Sequence, residues 1–296
     1  MSTLPEDLQE KKSSLLEFEK ITVRALEHLQ NFLNGFEEKK GYRIHFQTIT
    51  GTTKYIRPIN SRLFIYSPSD FSEKFREFRF LVEKLKLKNS DWTDYEKFLI
   101  DSILYTIQQS IGAGCDLLIH PNSARKHVGN RFEELIKCIF TEMEIANKRV
   151  VLQIPYETEE GIKKYKAEND IILSPFQKVK STSSKLNDQE IVVSVKTTSK
   201  DRMIKTFGDK LLLEKIGNHK QKVIGIFLND VQRKDTNNIS FTLVSGLFMV
   251  YSKFLVELEG VYYLDPPPNA RKEPFNRYME SFSELVTTDI WNLIAP

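Results

Sequence analysis

SVKTTSKDR, residues 194–202, follows the apolar run EIVV, residues 190–193. The β-branched run reads as a buried strand. Along it Val192, Ser194 and Lys196 share one face, while Ile191, Val193 and Val195 share the other. The strand therefore carries a lysine out of the interior. Two threonines follow, and then three consecutive charges, Lys200, Asp201 and Arg202. A solvated charge cluster is the simplest account of those three. A cation fixed at a sheet end beside a group of base-reading side chains is the alternative.

Upstream, KYKAENDIIL also reads as a strand, with Asp170 at the start of its apolar part. If this strand pairs with the one ending in Lys196, a carboxylate and an ammonium meet at one end of a sheet. GNRFEELIKCIF reads as a helix with an apolar stripe of Val128, Phe132, Leu135, Ile136, Ile139 and Phe140. At about 100° per residue Glu133 falls on the border of that stripe and Glu134 nearly opposite its centre. Glu133 is expected to reach a half-buried site and Glu134 to face water. Asp209 lies thirteen residues after Lys196, in the next helix.

The surrounding pattern is α/β. From about residue 119 to 296 helices at 125–145, 203–215, 247–258 and 278–293 alternate with five strands, predicting a mixed β-sheet core flanked by helices. Residues 1–118 read as a mostly helical N-terminal region that packs on the core or, should the chain bind DNA, contacts it or mediates dimerisation. There 5–38 form one helix or a pair, 69–85 and 91–112 form two more, and aromatic, β-branched stretches at 41–67 give short strands or extended loops.

With 296 residues the chain has ample length for a buried core. No apolar run approaches the roughly 18 residues of a membrane span. The polar start MSTLPEDLQEKKSS does not read as a signal peptide, so a cytoplasmic setting is expected. Cys115 and Cys138 sit in apolar helical patterns and read as inert core thiols. Net charge is only +3, but its distribution is uneven. Residues 176–222 hold eleven basic and five acidic side chains, whereas residues 1–40 hold six and eight. Positive charge thus gathers around SVKTTSKDR, as a phosphate footprint or a solvated basic face.

Carboxylates with a nearby lysine suit phosphodiester hydrolysis. Acids hold Mg²⁺, which retains waters and takes phosphate oxygens as further ligands. Lysine stabilises the developing negative charge. Arg or Lys pairs with guanine N7 and O6, and Asp accepts from cytosine N4. Lys200, Asp201 and Arg202 could therefore read adjacent G·C pairs.

These motifs together resemble the PD-(D/E)XK restriction endonucleases, in the EcoRII/NgoMIV-like branch that cuts at CCGG, CCNGG or CCWGG sites. KTTSKDR is similar to that branch's KTT-x-(K/R)-(D/E)-R stretch, and RKHVGNRFEELI to its Arg-Lys, Gly, Phe-Glu helix. Asn169–Asp170 stands for the Pro-Asp pair, and Ser194 stands where the second acid of the strand motif would be. The match covers about residues 123–215. The resemblance implies a restriction-endonuclease-like fold and a type II enzyme that uses Mg²⁺ to make double-strand cuts at a short palindrome with a CC/GG core. It puts Glu133, Asp170, Lys196 and Asp209 in the catalytic site, with the three acids as metal ligands. Asp209 departs from the Glu usual in the family. Lys200, Asp201 and Arg202 become the DNA contacts. The resemblance also implies double-stranded DNA as partner, a homodimer or tetramer, and a cognate methyltransferase. A repair or recombination nuclease of the same fold, or a DNA-binding module with a decayed site, are the rival expectations.

Overall fold

The computed structural model describes residues 2–295 apart from 236, 237 and 244, with no account of the side chains of Lys200 and Asp201. Helices α1 (Leu4–Gln9) and α2 (Leu15–Phe32) lead into an antiparallel sheet of β1 (Gly35–Lys39), β2 (Tyr42–Ile49) and β3 (Thr52–Asn60). Helices α3 (Pro68–Lys86), α4 (Asp94–Leu118) and α5 (Pro121–Glu142) follow. Local chemistry sets their starts. Ser14 with Glu17, and Thr93 with Glu96, form capping boxes that satisfy the first amides of α2 and α4. Pro68 and Pro121 occupy first-turn positions where no amide hydrogen is needed.

The second half contains β4 (Ala146–Thr158), β5 (Gly161–Ser174), β6 (Ile191–Thr198), α6 (Lys200–Gly217), β7 (Lys222–Asn229), β8 (Val231–Lys234), β9 (Asn238–Phe241), α7 (Ser245–Phe254), β10 (Gly260–Tyr263) and β11 (Met279–Ser281). Helical residues 282–293 end the chain. The main sheet has the order β11-β10-β7-β6-β5-β4. Pairing is antiparallel from β4 to β6 and parallel from β6 to β11. Ile171, Val193 and Ile224 pack with Phe132, Leu135 and Phe140 of α5 on one face. Ile172, Val192 and Phe227 pack with Met203 and Phe207 of α6 and Phe248 of α7 on the other. The first of these clusters also includes Leu8, Phe71, Leu104 and Phe282, so the N-terminal helices share its core.

β8 and β10 lie outside the five strands expected, the helix expected at 247–258 ends at Phe254, and three further expectations change. The helical stretch 5–38 stops at Phe32, and Phe36 lies in β1 with Arg43 stacked 4.5 Å from its ring centre. Asn34–Gly35 interrupts the helical period, and hydrogen bonding to β2 takes over. Residues 279–281 join the sheet edge as β11 before the last helical segment, a strand too short to show any period. Glu134 does not face water. It accepts from the amide of Lys12 at 2.8 Å and pairs with the buried Arg131 at 2.6 Å. Arg131 in turn donates to the carbonyls of Gln9 and Glu10, so the pair ties the chain after α1 to α5.

Polar anchors join the remaining layers. Asp265, which follows β10, is buried and accepts from Tyr42 Oη at 2.9 Å and Asn60 Nδ2 at 2.8 Å. Burial pushes its carboxyl up to about 6. Asp101 of α4 accepts from the amide and hydroxyl of Ser283 at 2.9 and 2.7 Å, and burial pushes it up to about 8. Arg57 of β3 makes a two-pronged pair with Asp116 of α4, both contacts at 2.8 Å. Gly112 lies directly beneath that guanidinium, where an added Cβ would stand 2.2 Å from Nη1. The guanidinium cannot yield without leaving Asp116. Gly112→Ala should therefore cost about 1–3 kcal/mol by overpacking, read as a lower denaturant midpoint. An unchanged midpoint would show that Arg57 swings away at no cost.

Candidate active site

β5 and β6 pair through Ile171–Val193, Ile172–Val192 and Leu173–Ile191. Continuing that register sets Asp170 opposite Ser194, two residues before Lys196. On its other side β5 is irregular. Lys148 pairs with Ile172 and Val150 with Asn169, so Asp170 and Ile171 together oppose Arg149. This is a β-bulge, a device that re-aims a side chain and bends a strand. Packing bears its mark. Ala167 and Ile172, five residues apart, both reach the cluster beneath α6, which strict alternation forbids.

The regular β5–β6 pairing brings together what the spacing implied. Lys196 Nζ makes a close ion pair with Asp170 Oδ2, and the amide of Val195 donates to the same oxygen at 2.9 Å. The two side chains are 19% and 15% exposed, enough for a ligand to reach them but too little for free solvation. Glu133 joins from α5. Burial and then the negative charge of Asp170 push its carboxyl up to about 7, while Lys196 and Arg149 pull the other way. Among the described residues Glu133 accepts no hydrogen bond. Two carboxylates thus share one field beside one ammonium. Such a pair suits Mg²⁺, which binds through one or two carboxylates and fills its shell with waters and phosphate oxygens. Among the described residues no group of three or more potential ligands is preassembled.

Asp209 sits apart from this pair. Its contact is Lys205, at 2.5 Å, and its side chain is 40% exposed. One turn earlier, Thr206 donates to Ser194 Oγ at 3.4 Å. The helix face toward Ser194 is thus occupied by Thr206, and Asp209 is carried about 4.5 Å further along the axis. Arg202 is exposed in the first turn of α6, whereas the side chains of Lys200 and Asp201 lie outside the described residues.

One pair escaped the sequence reading. Ser199, at the helix cap, is fully buried and donates its hydroxyl to the fully buried Asp230 at the end of β7. An aspartate closing the apolar run KVIGIFLN was the available signal.

Glu133 gives a stability test. Its carboxyl has an ordinary pKa of 4.5 and is raised in the fold. Below 4.5 it is protonated in both states. As pH rises from about 4.5 to 7 the unfolded chain releases the proton and the fold retains it, so folding loses stability across that window. Above about 7 the penalty is constant. Glu133→Gln should raise the melting temperature in EDTA at pH 8 more than at pH 4.5. An equal shift at both would place the carboxyl in ordinary solvent.

No family model and no curated protein matches the sequence. Among solved structures, the type IIP restriction endonuclease Kpn2I superposes with a TM-score of 0.70, covering 95% of this chain and 91% of that one at 20% identity. The complex of the restriction endonuclease PspGI with substrate DNA covers 76% and 92% at 13% identity, with a TM-score of 0.42. The chain has the mixed α/β fold of Kpn2I, a restriction-endonuclease-like sheet with its flanking helices.

Proposed function

We propose that the chain is a Mg²⁺-dependent type II restriction endonuclease making double-strand cuts at a short palindrome with a CC/GG core. The reading is carried by the half-buried Asp170–Lys196 pair on a β-bulge, with Glu133 in the same field. The Kpn2I-like fold supports it, since that protein is a type IIP restriction endonuclease.

Each residue then has a task. Asp170 and Glu133 would hold the ion, and Asp209 would join them by leaving Lys205. The ion, when bound, supplies a water of lowered pKa and neutralises charge in the in-line displacement. Lys196 holds a proton on Nζ beside the scissile phosphate, where it orients the nucleophile and stabilises the developing negative charge. Arg202 and Lys200 donate to guanine and Asp201 accepts from cytosine, a few residues from the lysine that fixes the cut. A dyad-symmetric homodimer, alone or doubled into a tetramer, lets each subunit cut one strand of a palindrome. A methyltransferase of the same specificity would protect the host's own sites. No helix among the described residues is long and apolar enough to cross a membrane.

The decisive experiment is a digest of phage DNA of known sequence, with Mg²⁺ and with EDTA, followed by sequencing of the ends. Mg²⁺-dependent fragments whose ends share a CC/GG-cored palindrome are expected. Random degradation would favour a repair-type nuclease, and specific binding without cutting a decayed site. Lys196→Ala should abolish cleavage while DNA binding survives, and robust cutting by that variant would remove Lys196 from the chemistry. Arg202→Ala should cost about 1–3 kcal/mol of base discrimination. A loss equal on all sequences would make Arg202 a phosphate contact instead.

A further inference from the structure

A helix-cap serine ordinarily turns its oxygen back to accept from an amide of the first turn. Ser199 does not. It has helical dihedrals, makes no side-chain cap bond, and its hydroxyl goes to Asp230. Its carbonyl accepts the first backbone bond of α6, from the Met203 amide at 2.7 Å.

Asp230 is itself saturated. Besides Ser199, its carboxylate accepts from Thr242 Oγ1 at 2.5 Å, the Thr242 amide at 3.1 Å and the Leu243 amide at 2.6 Å. Its carbonyl takes a further bond from the Thr242 amide at 2.9 Å. It thereby closes the base of the β8–β9 hairpin, whose Val231 and Ile239 pack on Tyr42 and Ile44 of β2. One buried carboxylate thus joins three bodies: the end of the parallel strand, the hairpin lying on the N-terminal sheet, and the residue immediately before Lys200.

We infer that Asp230 is a positioning residue for base recognition, acting through Ser199 to fix the first turn of α6 against the sheet. This rests on the proposed endonuclease reading and extends it to a residue that touches neither DNA nor the scissile phosphate. The chemistry explains the choice of groups. A buried carboxylate left short of donors is costly, so Asp230 holds the Ser199 hydroxyl in one direction, and with it the backbone that carries the reader. Bidentate base contacts tolerate little displacement, so a loosened first turn should blur the choice of base before it stops catalysis.

The test compares cleavage at the cognate site with cleavage at sites altered by one base pair, in wild type, Asp230→Asn, Ser199→Ala and Thr242→Val. The ratio of the two rates is independent of the folded fraction, so a lower yield of folded protein alone leaves it unmoved. Asp230→Asn and Ser199→Ala should each lower the ratio by about tenfold, the scale of one lost base contact. Thr242→Val removes a donor on the hairpin side alone and should leave it within about twofold. Should Asp230→Asn fail to fold, Ser199→Ala decides by itself. An unchanged ratio in Ser199→Ala overturns the inference, as does an equal fall in Ser199→Ala and Thr242→Val, which would mark general loosening. Wild-type protein that cuts without preference overturns the endonuclease reading first, and this one with it.

Discussion

Parallel pairing of β6 with β7 is the constraint from which the site follows. Two parallel neighbours cannot be joined by a tight turn, so the chain must leave the sheet after Thr198, run back the length of the strand and re-enter at Lys222 opposite Ile191. Helix α6, with 18 residues and a length of about 27 Å, makes that return. Its first turn is therefore forced to lie just beyond Lys196. Antiparallel pairing on the other side of β6 brings Asp170 to the same end of the sheet. Ion pair and helix start become neighbours because one strand has opposite pairing modes on its two edges.

The acids divide into two kinds by how fully their oxygens are satisfied. Asp101, Asp230 and Asp265 are almost or wholly buried, and each is met by hydroxyl or amide donors. Glu190 is alike, binding Ser174, the Lys180 amide and the Ser181 amide to organise the loop after β5. These carboxylates hold layers together. Asp170 has one amide and one ammonium, both on a single oxygen, and Glu133 has neighbouring charge instead of donors. Half-buried carboxylate oxygens without donors are costly for folding, and oxygens are the ligands that a hard divalent ion takes.

Much of this was legible from residue order. The alternation of Ile191, Val193 and Val195 against Val192, Ser194 and Lys196 predicted both faces of β6, and the two clusters divide along it. The border position of Glu133 on the α5 stripe predicted its half-buried place. What escaped depended on partners far away in the chain. Glu134 lies off the stripe, yet a loop 122 residues earlier supplies the Lys12 amide that it accepts. β11 exists only because β10 offers an unfilled edge. Asp209 has the offset that the resemblance implied and stays with the proposal, while Thr206 is the α6 residue that reaches Ser194. The axial rise of three residues, about 4.5 Å, separates the two positions.

The long hairpin of β4 and β5 leaves β4 as the outermost strand of the main sheet. An open edge with a row of free amides and carbonyls invites another chain to add a strand. This edge is poorly suited to that. Pro155 offers no amide hydrogen, Arg149 sits at the bulge that twists the strand, and Glu157 sets charge near the tip. The irregularity beside Asp170 also guards the sheet against growth, so that copies emerging together from ribosomes are deterred from joining edge to edge.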